Sequence, residues 1–259
     1  MKIPFTKASA CGNDFLIVDG SHASDDIAIL SRKLCDRHNG IGADGVEWLY
    51  QDGGDPRIRL INADGSEAEI SGNGTRCVAA YLASQGRTGK ICIVTGAGPK
   101  QCELLSHTGN TFEFEADMGK PEIGEPFSVR LKSSVVEGMP VSMGNPHFVV
   151  LVRHFPTAWQ QQAAEVQKQR TFKDGVNVEY VRLNGASAVE IRIFERGVGE
   201  TQSSGTGSCA SAVAVIAARK IGSPLSVEAP GGTQVVRWSG ENVFLRGPAQ
   251  LICEGEFFV

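Results

Sequence analysis

The chain has 259 residues, 41% hydrophobic and 21% charged, a balance that fits a folded protein of one large or two ordinary domains and excludes a disordered one. A net charge of -4 with no cluster of Lys and Arg argues against a nucleic-acid surface. No run of about 18 apolar residues marks a membrane span, and the opening MKIPFTKASACGNDF lacks a signal-type apolar run, so a cytoplasmic protein without membrane association is expected.

In chain order, short apolar or alternating runs rich in β-branched residues predict strands at 15–19, 57–61, 91–95, 147–152, 178–183, 190–194 and 243–247. Between them the pattern predicts a helix from Ile27 to His38 and a polar surface helix from Thr157 to Arg170. Two further helices are Ala-rich and nearly uncharged in the middle, which marks them as buried. One runs from Thr75 to about Gln85 and is ended by Gly86; the other runs from Ser208 to about Lys220 and is ended by Gly222. The seven cysteines are odd in number and form no C-x-x-C, and the five histidines are scattered. Neither a disulfide framework nor a metal site is expected.

The chain repeats itself. RIRLIN at 57–62 recurs as EIRIFE at 190–195, an offset of 133 (57 to 190), and Ser71-Gly72-Asn73-Gly74 then falls on Ser204-Gly205-Thr206-Gly207. Earlier the offset is 132 (45 to 177): Gly12-Asn13 falls on Gly144-Asn145, and Gly45-Val46-Glu47-Trp48 on Asn177-Val178-Glu179-Tyr180. Later it is 134 (98 to 232). A repeat this long is a domain and not a solenoid unit. It predicts an α+β protein of two similar domains, 1–118 and 119–249, each built of strands around one central helix, with 250–259 left over.

A helix start carries free backbone N–H groups and a partial positive charge, so it attracts carboxylates. Two such starts related by duplication suit a small substrate held from both sides, at a shared cleft of the kind where ligands bind. Two bases on opposite faces of one carbon are what a racemase without a cofactor needs. Asn13, Asn62, Asn145, Asn177, Glu195 and Arg196 end strands or precede loops, where amides and an Arg can hold carboxylate and ammonium groups. Two plainer readings stay open: Ser71 and Ser204 as ordinary N-caps, and Glu195-Arg196 as a surface ion pair.

The segment Asn62-Ala63-Asp64-Gly65-Ser66-Glu67-Ala68-Glu69, followed by Gly72-Asn73-Gly74-Thr75-Arg76-Cys77, is similar to the first active-site signature of the diaminopimelate epimerase family. Glu195-Arg196-Gly197-Val198-Gly199-Glu200-Thr201, followed by Gly205-Thr206-Gly207, resembles the second. Gly12-Asn13-Asp14-Phe15, Gly40-Ile41-Gly42-Ala43-Asp44 and Gly144-Asn145-Pro146-His147 match three more blocks. The resemblance implies two pseudo-symmetric domains, each a barrel-like mixed sheet around a central helix, with the last strand returning to the first domain. It implies an isomerase that interconverts LL- and meso-diaminopimelate by two-base proton transfer, without a cofactor or metal, in lysine and peptidoglycan precursor synthesis. The family's substrate-holding positions fall on Asn13, Asn62, Asn145, Asn177, Glu195 and Arg196, and its carboxylate cradle on Gly72, Asn73, Gly205 and Thr206. Relatives are often dimers, so the resemblance allows a homodimer.

Two departures matter. Positions 71 and 204, where the resemblance implies the two catalytic cysteines, hold Ser71 and Ser204. A thiol near pKa 8.5 can be drawn towards neutrality at a helix start; a hydroxyl cannot, since helix-dipole effects of roughly 0.3–2 kcal/mol move a pKa by little more than one unit. Gly45 stands where many members carry Gln. Three accounts of the serines remain: replacement of Cys by design, activation by a partner such as Glu69 or His147, or drift to another reaction. An inactive diaminopimelate-binding homologue and a racemase or dehydratase of the same fold for proline-type substrates are therefore the alternatives.

Overall fold

The computed structural model describes residues 2–23, 26–173, 175–219 and 222–259. The chain divides into two compact units, residues 1–116 with 247–259, and residues 117–246. Among the described residues no helix is long and apolar enough to cross a membrane.

The first unit runs β1 (Lys2–Ala10), β2 (Asn13–Asp19), a 3-10 turn (Gly20–His22), α1 (Ile27–Cys35), β3 (Gly45–Tyr50), β4 (Arg57–Asn62), β5 (Glu67–Ala68), α2 (Gly72–Ser84), β6 (Lys90–Thr95), β7 (Gly98–Thr108) and β8 (Thr111–Asp117). The second runs β9 (Glu122–Ile123), β10 (Phe127–Arg130), β11 (Val135–Ser142), β12 (Pro146–Val152), α3 (Trp159–Gln167), β13 (Asn177–Leu183), β14 (Ala188–Glu195), β15 (Gly199–Thr201), α4 (Gly205–Arg219), β16 (Leu225–Ala229) and β17 (Gly232–Trp238). The last strand, β18 (Val243–Phe258), begins in the second unit and ends in the first. It pairs antiparallel with β17 and with β1 and also pairs with β8, which closes the first unit's ladder through β1, β2, β3, β4, β6, β7 and β8.

The duplication is visible in the register. β2 and β3 pair in parallel with Phe15 opposite Gly45, and β12 and β13 do the same with His147 opposite Asn177. Strand faces alternate, so each of these strands serves two cores. In β2 and β3, Phe15, Ile17 and Leu49 face an inner cluster around Cys77, Val78 and Leu82 of α2. Leu16, Val18, Val46 and Trp48 face an outer cluster with Leu30 and Leu34 of α1. In the second unit Val149 and Val181 pack on α4, while Phe148, Val150, Val178 and Tyr180 pack with Trp159, Ala163 and Val166 of α3. The outer helices are pinned alike: the Trp48 indole donates to Ser31 Oγ at 3.0 Å, and the Tyr180 hydroxyl donates to Gln162 Oε1 at 3.1 Å.

Helix ends differ from the sequence reading. α2 starts at Gly72 rather than Thr75, and α4 at Gly205 rather than Ser208, because Ser71 and Ser204 cap the glycine-rich turn and make it helical. The end expected at Lys220 lies outside the described residues. α1 stops at Cys35, three residues short of His38, where the Asp36 carboxylate takes the N–H groups of His38 and Asn39 at 2.7 and 2.8 Å. α3 covers Trp159–Gln167 only, with turns closed by Pro156 O and Val166 O on either side. Strand β1 and the β7–β8 hairpin escaped the pattern because they alternate with many polar residues.

Candidate active site

In the first unit the site grows from two turns. Cys11 and Gly12, at φ 52 and 77, form the two-residue left-handed turn that a tight hairpin requires. It delivers Asn13 at the head of β2. The Asn13 amide donates to Asp44 Oδ2 at 2.5 Å and accepts from Asn73 Nδ2 at 3.4 Å. Lys7 and Arg37 hold Asp14 at 3.0 and 2.8 Å, and Arg37 also reaches Asp44 at 2.8 Å. Burial works to raise the Asp14 carboxyl, but the bonds from Arg37 and Lys7 outweigh it and keep it below its ordinary value. The second turn is the start of α2. Ser71 Oγ accepts from Gly74 N–H at 3.1 Å and its carbonyl from Thr75 N–H at 2.8 Å. Behind this turn the buried Arg76 guanidinium donates to Asn73 Oδ1 at 2.5 Å, Gly72 O at 3.2 Å and Pro248 O at 3.5 Å. Asn62 ends β4 and donates to Ser66 Oγ at 3.0 Å.

The second unit repeats this plan with different side chains. Asn145 donates to Thr206 Oγ1 at 3.3 Å, as Asn73 bonds Asn13 in the first. Ser204 Oγ accepts from Gly207 N–H at 3.2 Å, and its hydroxyl favours the charged form of Glu195. Glu195 also accepts from Thr201 Oγ1 at 3.1 Å. Burial pushes the Glu195 carboxyl up, the hydroxyls of Thr201 and Ser204 pull it back, and Glu179 adds to the rise. His147 is fully enclosed between Glu179 Oε1 at 2.8 Å and Asn145 Oδ1 at 3.0 Å. Asn177 spends both ends of its amide on the frame: it donates to Pro146 O at 3.1 Å and accepts from Arg196 N–H at 2.9 Å. The Arg196 stem lies over Gly175, where a β-carbon would fall 2.5 Å from Arg196 Cδ.

Thus the structure joins Asn13, Asn73, Gly72 and Ser71 in one unit, and Asn145, His147, Thr206, Ser204, Glu195, Asn177 and Arg196 in the other. Gly205 opens α4. Glu69 stands apart: it is exposed, and its carbonyl takes Ala97 N–H at 3.2 Å. Cys77 and Cys209 are wholly buried inside the helices, and burial pushes the Cys77 thiol up. The space beside Gly45 is filled by Leu60, 3.0 Å from where a β-carbon would lie.

A sequence model of diaminopimelate epimerase matches residues 5–124 and 139–252. The chain belongs to the diaminopimelate epimerase family. The diaminopimelate epimerase of Halothermothrix orenii is 35% identical over 284 residues, covering 100% of this chain and 99% of that one. Those of Elusimicrobium minutum and Neisseria meningitidis are each 36% identical, covering 98% of this chain and 98% of their own. Among solved structures, a phenazine biosynthesis protein of the PhzF family from Bacillus anthracis superposes with a TM-score of 0.75 at 16% identity and full coverage of both chains. A hydroxyproline epimerase from Agrobacterium vitis gives 0.70 at 15% identity, covering 98% of this chain and 90% of that one. At such identities these two share the fold.

Two buried carboxyl residues escaped the sequence reading: Glu47 and Glu179, both at 0% exposure in the middle of apolar strands. The repeat had placed one upon the other. A charged residue at an inward strand position in both copies was the available signal.

Proposed function

We propose that the protein is a cofactor-independent amino-acid epimerase that interconverts LL- and meso-diaminopimelate in the cytoplasm, for lysine and peptidoglycan precursor synthesis. The observation that carries this reading is the full-length family match, with both signature motifs placed at capped helix starts. One hydroxyl, Ser71 or Ser204, takes the α-proton, and the other returns a proton to the opposite face. The first-turn amides at Gly72-Asn73 and Gly205-Thr206 hold the α-carboxylate. Asn13, Asn62, Asn145, Asn177, Glu195 and Arg196 frame the rest of the substrate. The influence of the Ser204 hydroxyl on Glu195, which favours the carboxylate against its burial, supports an acid–base role for that serine.

The test is deuterium exchange at the α-carbon of LL-diaminopimelate in D₂O. Exchange by the wild-type chain, accelerated roughly 100-fold or more in the Ser71→Cys/Ser204→Cys variant, is the expected result. The two absent thiols favour a second reading, a diaminopimelate-binding homologue without turnover. Calorimetric binding of meso-diaminopimelate with a silent wild type and an active double-Cys variant would establish it. Neither binding nor exchange in any variant would sink both.

A further inference from the structure

Glu47 on β3 and Glu179 on β13 occupy the same place in the duplicated register. Each lies against a glycine in the first turn of its unit's inner helix. A β-carbon on Gly74 would fall 2.0 Å from Glu47 Oε1 and 3.3 Å from Ser71 Cβ. One on Gly207 would fall 2.8 Å from Glu179 Oε1 and 3.2 Å from Ser204 Oγ. In both units, carboxyl and serine bracket the same glycine.

Their surroundings differ. Glu179 is bonded to His147, and the Ser204 hydroxyl favours the charged form of Glu195. In the first unit Phe15 stands at the place of His147, and Asn62 at that of Glu195. Among the described residues Ser71 has no counterpart of Glu195, and neither oxygen of Glu47 has a hydrogen-bond partner. An unpaired carboxyl in an apolar interior is destabilising, and an aliphatic side chain would fill the same space without that penalty. Ser71 Oγ already accepts from Gly74 N–H, so its own hydroxyl proton points elsewhere. An orphan acceptor and a spare donor flank one glycine.

We propose that Glu47 is the proton-relay partner of Ser71, acting through the serine without touching the substrate. This rests on the epimerase reading. In one direction the substrate α-C–H bond breaks, its proton passes to Ser71 Oγ, and the Ser71 hydroxyl proton passes to the Glu47 carboxylate. The electron pair stays on the α-carbon, delocalised into the substrate carboxylate, and Ser204 protonates the other face while Glu195 resupplies Ser204. Because Glu47 is enclosed, its proton then returns through Ser71 to solvent, and solvent restores that of Glu195. In the reverse direction protonated Glu47 gives its proton up through Ser71. Burial pushes Glu47 up to about 8, so both protonation states are accessible near neutral pH. Cys77, on the facing helix α2, feels the Glu47 charge, but burial keeps that thiol protonated.

The experiment compares α-proton exchange of diaminopimelate in four chains: wild type, Glu47→Gln, Ser71→Cys and Ser71→Cys/Glu47→Gln. Glu47→Gln is expected to slow exchange about 100-fold or more in the serine background and only a few-fold beside a thiol, which carries its own acidity. Equal losses in both backgrounds, no loss, or a silent wild type beside an active Ser71→Cys/Ser204→Cys variant overturns the relay. An infrared titration reads the pair without substrate. The carboxylic-acid band lost in Glu47→Gln should shift its midpoint in Ser71→Ala and hold it in Ser204→Ala. An unmoved band in Ser71→Ala overturns the proposal. If no variant exchanges diaminopimelate, the epimerase reading falls, and the infrared result still decides whether Glu47 and Ser71 share a proton.

Discussion

At the scale of single residues, Glu47 carries a clear energetic signature. Burial raises its carboxyl from an ordinary 4.5 to about 8. Below pH 4.5 both folded and unfolded chains hold the proton, and the residue adds no pH dependence. Between 4.5 and about 8 the unfolded chain has lost the proton and the folded chain keeps it, so stability falls as pH rises, by up to about 1.4 kcal/mol per pH unit. Above that range the loss is complete. Glu47→Gln removes this slope. Denaturant unfolding at pH 5, 6.5 and 8 should therefore show the variant gaining on the wild type as pH rises; parallel stabilities would contradict a neutral buried carboxyl. A variant that is more stable and less active also separates the relay from a packing role.

At the scale of elements, the end of α1 shows how a turn sets the site. The chain leaves the helix at Asp36 and doubles back, with Gly40 N–H on Asp36 O at 3.0 Å and Ile41 N–H on Leu34 O at 2.9 Å. A β-carbon on Gly40 would fall 2.2 Å from Lys33 O and 2.8 Å from both Asp36 O and Leu34 O, all backbone atoms that cannot swing aside. This return brings Asp44 to Asn13. Gly40→Ala should cost at least about 2 kcal/mol and slow any exchange through the loss of Asn13's support. Gly54→Ala, with nothing within 4 Å of its β-carbon, should stay within about 0.5 kcal/mol of wild type. Urea midpoints of the two variants measure the difference, and equal midpoints would refute the account. The family motif made Gly40 to Asp44 legible as a block, but the three carbonyls that exclude a side chain come from the preceding helix end.

At the scale of the whole molecule, the two units depend unequally on the chain's last residues. Gly247–Val259 belong to the first unit, where β18 pairs with β1 and β8 and offers Pro248 O to Arg76 behind the start of α2. A chain ending at Arg246 would leave both neighbouring strands with open edges and a buried guanidinium short of an acceptor. Hydrogen exchange should then show loss of protection in α2 and retention in α4. Protection kept in both helices would mean that the closing strand is dispensable.

What the sequence by itself determined was everything written in local pattern: the domain-sized repeat, the four helices, the family, and the two Ser-Gly-x-Gly starts. Those features depend on residue types at fixed spacings, which survive without knowledge of neighbours. The tertiary structure alone decided which carboxylates matter. Glu47 and Glu179 read as ordinary residues in apolar strands, and Glu69 read as a candidate activating partner for the serines. Folding turned the first two inward against Gly74 and Gly207 and left Glu69 exposed. It also gave Glu179 a histidine partner, His147, and put Phe15 at the equivalent register position in the first unit. Burial and pairing are properties of which strands lie side by side and in what register, and residues 147 and 179 meet only once the sheet has formed.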